Sequence, residues 1–176
     1  NEDGNYQIGF AIDVDAEITQ KPVTITYSAD NKVYDGNSAA TVHDFVFSGL
    51  HGNEELNVDN VTAEFAESKV GTHAVTIADG YQVTGEGAEN YSYNLTIPEA
   101  TISAKAIVLS FRAENKVYDG NKDAVILLDS TSFGEQLVEG DTLTVTAISG
   151  LFAESKAGTW QVSVNQETFQ VTGNDD

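Results

Sequence analysis

Apolar and polar residues alternate along most of this chain. Val23, Ile25 and Tyr27 are separated by Thr24 and Thr26, and Val61, Ala63 and Phe65 by Thr62 and Glu64. The same period of two runs through Tyr91, Tyr93, Leu95 and Ile97, through Leu143, Val145 and Ala147, and through Trp160, Val162 and Val164. Successive side chains of a strand point to opposite faces, so this period predicts strands with one face buried. No window carries a helical stripe. Ser48-Gly49, His51-Gly52-Asn53, Asp79-Gly80 and Gly140-Asp141 fall between the runs at turn-like spacing. An all-β fold follows, with β-sandwich (Ig-like) modules as the leading architecture and β-grasp-like modules as the alternative. Pro22 sits inside a strand-like run and predicts an edge or a bend there, because proline has no N–H to give to a ladder.

The chain repeats itself. Asn31-Lys32-Val33-Tyr34-Asp35-Gly36-Asn37 recurs unchanged as Asn115-Lys116-Val117-Tyr118-Asp119-Gly120-Asn121, 84 residues later. Phe65-Ala66-Glu67-Ser68-Lys69 recurs as Phe152-Ala153-Glu154-Ser155-Lys156, now 87 residues later, which places a three-residue insertion around Asp129 to Ser132. Gln82-Val83-Thr84-Gly85 returns as Gln170-Val171-Thr172-Gly173, and the stretch from Asn5-Tyr6 to Lys21 parallels that from Asn90-Tyr91 to Lys105. Two modules in tandem follow. A frame from Lys21 to Ala104 would leave residues 1–20 as an orphan strand and the second module without its last one. Cutting near residue 88 gives two units of equal inventory, residues 1–88 and 89–176, each opening at Asn-Tyr and closing after Val-Thr-Gly.

The run from Tyr91 to Phe111, like that from Tyr6 to Tyr27, is too long for one strand, since about 20 extended residues span up to about 70 Å. Each run should hold two strands and a short bend, near Pro98 or Lys105 in the second. With no Gly/Ser linker at residues 94–108, the two modules are expected to form an elongated rod.

Composition then narrows the function classes. Acidic residues outnumber basic ones 28 to 8 and the formal charge is −20, which disfavours nucleic acid and anionic membranes as partners. With 40% hydrophobic residues the chain still has enough apolar material for packed cores. It has no cysteine, which excludes disulfides, zinc–thiolate sites and a thiol nucleophile. No apolar stretch is long enough to span a bilayer, and the N-terminus has no signal-peptide pattern, so a secreted protein would carry its signal elsewhere.

The chemistry-bearing residues point away from catalysis. His43, His51 and His73 align with Leu127, Val138 and Trp160 in the second copy. Chemistry needed by every module would not be replaced by apolar side chains, so neither a metal site nor a histidine base is expected. No nucleophile motif frames any serine. The expected cofactor is none. Calcium is the one ion worth weighing, through the paired acids Asp30/Glu114, Asp35/Asp119, Glu54/Asp141 and Glu67/Glu154, although Lys32 breaks the EF-hand pattern in the loop that begins at Asp30. Six of the eight basic residues form the matched pairs Lys21/Lys105, Lys32/Lys116 and Lys69/Lys156. These lysines close local ion pairs or cover apolar surface; a lysine-to-Asn/Asp isopeptide cross-link is the sharper alternative.

The residues to watch are Tyr34, Asp35 and Gly36 with their counterparts Tyr118, Asp119 and Gly120. The tyrosines are expected to be buried, the aspartates to bond the turn backbone and the glycines to supply a positive φ. The alternative is a glycan-binding shelf, which needs exposed aromatic faces. The signature Lys-Val-Tyr-Asp-Gly-Asn, the downstream Phe-Ala-Glu-Ser-Lys-x-Gly-Thr and a closing Gly-x-x-Asn-Tyr resemble the YDG-type repeat of large bacterial exoproteins, a family similar to the MBG-type repeats found beside mucin-binding modules. The resemblance implies an extracellular place on the bacterial cell surface, in an adhesin or filamentous-haemagglutinin-like protein. It implies a rigid stalk or spacer whose partners are neighbouring repeats, with host glycan or mucin binding as the alternative, and no enzyme activity.

Overall fold

The computed structural model describes residues 9, 11, 15–129, 133–146, 148–167 and 169–173. The described chain is all-β apart from short turns of helix. Its strands in the first half are β1 (Lys21–Ala29), β2 (Lys32–Val33), β3 (Ala39–Ala40), β4 (Val42–Ser48), β5 (Asn57–Asp59), β6 (Ala63–Phe65), β7 (Gly71–Ile77), β8 (Gln82–Thr84), β9 (Tyr91–Thr96) and β10 (Glu99–Ser103). The second half holds β11 (Phe111–Ala113), β12 (Asp123–Ala124), β13 (Ile126–Leu128), β14 (Leu143–Thr146), β15 (Gly150–Phe152), β16 (Val162–Val164) and β17 (Gln170–Gly173).

Two larger sheets carry the first repeat, one ordered β4-β1-β9 and the other β2-β10-β7-β6-β3, beside the two-stranded pair β5-β8. β1 pairs antiparallel with β4 and parallel with β9, from Lys21↔Tyr91 to Thr26↔Thr96. Its alternation is realised as the sequence predicts. Val23, Ile25 and Tyr27 are buried while Thr24 and Thr26 face out, and each such apolar side chain contributes about 1.5–3 kcal/mol over its exposed state. Val23, Leu56 and Tyr91 form a cluster with Phe47, Leu50, Val83, Ala88 and Tyr93 packed against it. The buried Tyr27 hydroxyl donates to the Val75 carbonyl at 2.8 Å, and burial pushes its pKa up. Pro22 lies in a central strand, yet pairing with β4 begins only at Thr24↔Ser48, so β9 alone flanks Pro22, opposite Ser92. The edge expected from proline exists locally.

The expected bend falls at Pro98. β9 belongs to one sheet and β10 to the other, so Ile97 and Pro98 carry the chain between sheets. The counterpart bend in the run from Tyr6 lies outside the described residues.

The second repeat reproduces several pairings of the first at the displaced positions. β3 pairs with β6 through Ala40↔Ala63, and β12 with β15 through Ala124↔Gly150. Phe65↔Val75 between β6 and β7 becomes Phe152↔Val162 between β15 and β16, and Val58↔Val83 between β5 and β8 becomes Val145↔Val171 between β14 and β17. Ala29↔Val42 between β1 and β4 becomes Ala113↔Ile126 between β11 and β13. Every shared register survives, so the three-residue insertion lies between Leu128 and Leu143 and one further residue between Val164 and Gln170; Ser130 to Ser132 lie outside the described residues.

The chain separates into two compact units. One is built from the described residues up to Asp30 with Ala39–Ala66 and His73–Ala100, and the other from Asn31–Ser38, Glu67–Thr72 and the residues from Thr101 onward. A boundary near residue 88 therefore falls inside the first unit. The physical reason is β9: Tyr91 is buried in the same cluster as Val23, so the strand that starts at Asn90-Tyr91 closes the first core instead of opening a second.

Candidate functional site: the lysine-braced signature turn

The signature sequence builds one polar turn twice. Lys32 Nζ donates to Asp35 Oδ1 at 2.8 Å, to the Asn37 carbonyl at 2.7 Å and to Asn37 Oδ1 at 3.1 Å. Lys116 Nζ lies 2.9 Å from Asp119 Oδ1 and donates to the Asn121 carbonyl at 3.0 Å and to Asn121 Oδ1 at 2.7 Å. The aspartate accepts the asparagine backbone N–H in both copies, at 3.2 Å in the first and 3.1 Å in the second. The intervening glycines have φ of 82° and 81°, a left-handed conformation that glycine adopts without Cβ strain. An ammonium that bonds a carboxylate, a side-chain amide and a main-chain carbonyl holds both ends of the turn together. The Lys32 ammonium is the main cause that holds the Asp35 carboxyl below its usual pKa range, and Lys116 does the same for Asp119.

This geometry bears on the isopeptide alternative. Lysine and asparagine meet through hydrogen bonds, and the same ammonium pairs with the aspartate of the turn. The Lys32/Lys116 pair closes the local ion pairs expected of it.

The tyrosines depart from expectation. Tyr34 is half-buried and Tyr118 is 68% exposed, so neither is a core residue and their settings differ. The difference follows from strand pairing. In the first repeat β2 pairs with β10, and the Tyr34 N–H bonds the Ser103 carbonyl at 2.8 Å. Among the described residues no strand flanks residues 116–118, and Val117 is 88% exposed beside Tyr118. Aspartates and glycines play the turn roles expected of them. The lysine is one of the matched pairs expected to close a local ion pair; the asparagine's part in the brace is signalled in the sequence only by its repetition at Asn37 and Asn121.

The histidines and acids do not converge. His43 sits between Asp44 and Asp30, with Nδ1 2.8 Å from Asp44 Oδ2 and Nε2 3.1 Å from Asp30 Oδ1. His51 gives its main-chain N–H to the Tyr91 hydroxyl at 3.0 Å, and that hydroxyl donates to Glu54 Oε2. Asp30, Asp35 and Glu54 thus have three separate partners. Among the described residues no group of three or more His, Cys, Asp or Glu side chains is placed to hold a metal ion.

Beside the second signature turn lies a cavity of about 270 Å³, lined by Lys116, Tyr118, Phe152, Lys156 and Trp160 among others. Lys116 Nζ stands 5.6 Å above the Phe152 ring, and Trp160 donates its indole N–H to the Lys156 carbonyl at 2.7 Å while remaining 39% exposed.

The sequence profile of the YDG domain matches the chain twice, at residues 19–102 and 103–176. The chain belongs to the YDG domain family. The first YDG domain takes in β1 to nearly the end of β10, and each domain contains one lysine-braced turn. No curated protein and no solved structure matches the chain.

Proposed function

We propose that these two YDG domains are a spacer segment of a bacterial cell-surface or secreted adhesin, a rigid part of a repetitive arm without catalytic chemistry. One observation carries the reading: the residues that define the signature spend their polar groups on one another. Lys32, Asp35 and Asn37 close a network within one turn, and Lys116, Asp119 and Asn121 close the same network again. A ligand-binding signature would turn such groups outward. The tandem repeat supports the same reading, because modules coupled mainly to their neighbours suit a structural arm. Glycan-array and mucin-binding measurements on this chain test it. No saturable binding is expected, and binding abolished by substitution of signature residues would overturn it.

A second reading has its own support. Tyr118 and Trp160 expose aromatic faces around the cavity of the second domain, a setting suited to stacking on a sugar ring. The first domain has His73 in place of Trp160, so glycan recognition would belong to the second domain alone. Trp160 is the only tryptophan, and its fluorescence should change on titration with host glycans if this reading holds.

A further inference from the structure

An aspartate followed by glycine is open to attack by its own main chain, because glycine has no Cβ to keep its backbone nitrogen away from the aspartate Cγ. The sequence holds four such pairs: Asp3-Gly4, Asp35-Gly36, Asp79-Gly80 and Asp119-Gly120. Asp3-Gly4 lies outside the described residues. The other three are exposed, and their glycines all have positive φ, 82° at Gly36, 106° at Gly80 and 81° at Gly120. Neither exposure nor backbone conformation separates them.

Side-chain bonding does. Asp35 Oδ1 accepts from the Lys32 ammonium at 2.8 Å and from the Asn37 N–H at 3.2 Å. Asp119 Oδ1 lies 2.9 Å from Lys116 Nζ and accepts the Asn121 N–H at 3.1 Å, and its Oδ2 accepts from Asn121 Nδ2 at 3.0 Å. Asp79, in the turn between β7 and β8, has no side-chain partner among the described residues.

These bonds bear on one reaction. The glycine nitrogen bonds to Cγ and gives up its proton, and a carboxyl oxygen leaves as water, which closes a succinimide ring. Water then opens the ring at the former main-chain carbonyl, so that the chain runs on through the side chain as isoaspartate, with no net change in composition. The leaving oxygen has to be protonated, and Cγ has to turn toward the glycine nitrogen. A lysine ammonium on Oδ1 opposes the first requirement, because a nearby cation favours the ionised carboxylate. The same bond, with that from the asparagine N–H, opposes the second by holding the carboxylate in one orientation.

We propose that Asp79-Gly80 is a site of spontaneous isoaspartate formation, and that the lysine brace of the signature protects Asp35-Gly36 and Asp119-Gly120 from the same reaction. Protection accounts for the company the Asp-Gly pair keeps in both copies. The turn uses glycine for its positive φ, and that glycine lays the preceding aspartate open to its own main chain. An isoaspartate would add a carbon to the main chain inside the turn and misplace the groups that the brace joins. A brace of this kind serves a spacer and a glycan-binding module alike.

Ageing the whole chain at neutral pH and locating isoaspartate by electron-transfer fragmentation of its proteolytic peptides tests both halves. Wild type should accumulate isoaspartate at Asp79 and severalfold less at Asp35 and Asp119. Lys32→Met should raise it severalfold at Asp35 and leave Asp79 and Asp119 unchanged, and Lys116→Met should do the same at Asp119 alone. No isoaspartate at Asp79, or equal amounts at all three aspartates of wild type, overturns the proposal. So does a Lys32→Met chain with no rise at Asp35. A rise at Asp35 matched by an equal rise at Asp79 would assign the effect to a loosened first domain and overturn the protective role. Mucin binding would refute the spacer reading and leave these results as they are.

Discussion

Lys32 Nζ and Asp35 Oδ1 stand 2.8 Å apart across the first signature turn, with the lysine side chain 18% exposed and the aspartate side chain 48%. Half-exposed ion pairs are screened, so the pair by itself contributes little. Most of the stabilisation should come from the bonds of the same ammonium to Asn37. Lys32→Met, which keeps the apolar stem, is expected to cost about 1 kcal/mol. Chemical denaturation of the two chains measures it, and equal midpoints would show that the brace has no energetic role.

The same pair sets a pH dependence. The Asp35 carboxyl is held below its usual range chiefly by the Lys32 ammonium. A depressed folded-state pKa contributes stability that is present above the unfolded value, about 3.9, and is lost as pH falls through the folded one. The difference in melting temperature between wild type and Lys32→Met should therefore be full at neutral pH and shrink in acid below about pH 4. A difference that persists unchanged at the acid end would assign the effect to the Lys32 bonds to Asn37 and leave nothing for the ion pair.

How much of this was legible in the sequence differs from residue to residue. Val23, Ile25 and Tyr27 announce β1 because strand alternation is a local property, and the repeat fixed the registers of the second domain for the same reason. The place of Tyr91 was not legible. Its alternation with Tyr93 and Leu95 identifies a strand, but which β-strand it pairs with is decided by parallel contacts some 70 residues back along the chain, from Lys21 to Thr26. Tyr118 fails for a related reason: its sequence equals that of Tyr34, and only the strand flanking β2 distinguishes the two.

Gly120 offers a test of backbone geometry free of packing. Its φ is 81°, and a Cβ built there meets no atom within 4 Å. Gly120→Ala should destabilise the second domain by about 1 kcal/mol through the left-handed conformation alone. Gly120→Asn should cost less, because asparagine tolerates that region. If alanine and asparagine were equally harmless in thermal melts, the turn would not require a positive φ.

His43 should titrate above its ordinary value, held up first by its bond to Asp44 and then by that to Asp30. A raised folded-state pKa gives stability that is complete below the unfolded value, about 6.5, and is lost as pH rises through the folded one. Asp30→Asn should shift the imidazole resonances of His43 to a lower midpoint in an NMR titration. An unmoved midpoint would mean that Asp30 has no part in it.

Equal sequence positions with unequal burial give the sharpest energetic contrast between the domains. Ile25 is 0% exposed between two flanking strands, so Ile25→Ala should remove a well-packed side chain at a cost of about 2–5 kcal/mol. Its counterpart Leu109 is half-buried. Water already reaches part of it, and a cavity at a partly open site is filled at little cost, so Leu109→Ala should cost about 1–2 kcal/mol. Trp160 belongs to the second domain and is the only tryptophan, so its fluorescence follows that domain alone while backbone circular dichroism follows both. Ile25→Ala should then lower the midpoint seen by circular dichroism and leave the fluorescence transition in place, and Leu109→Ala should move the fluorescence transition by the smaller amount. A loss at Leu109 as large as that at Ile25 would mean that the Leu109 side chain is as fully enclosed in solution as its counterpart.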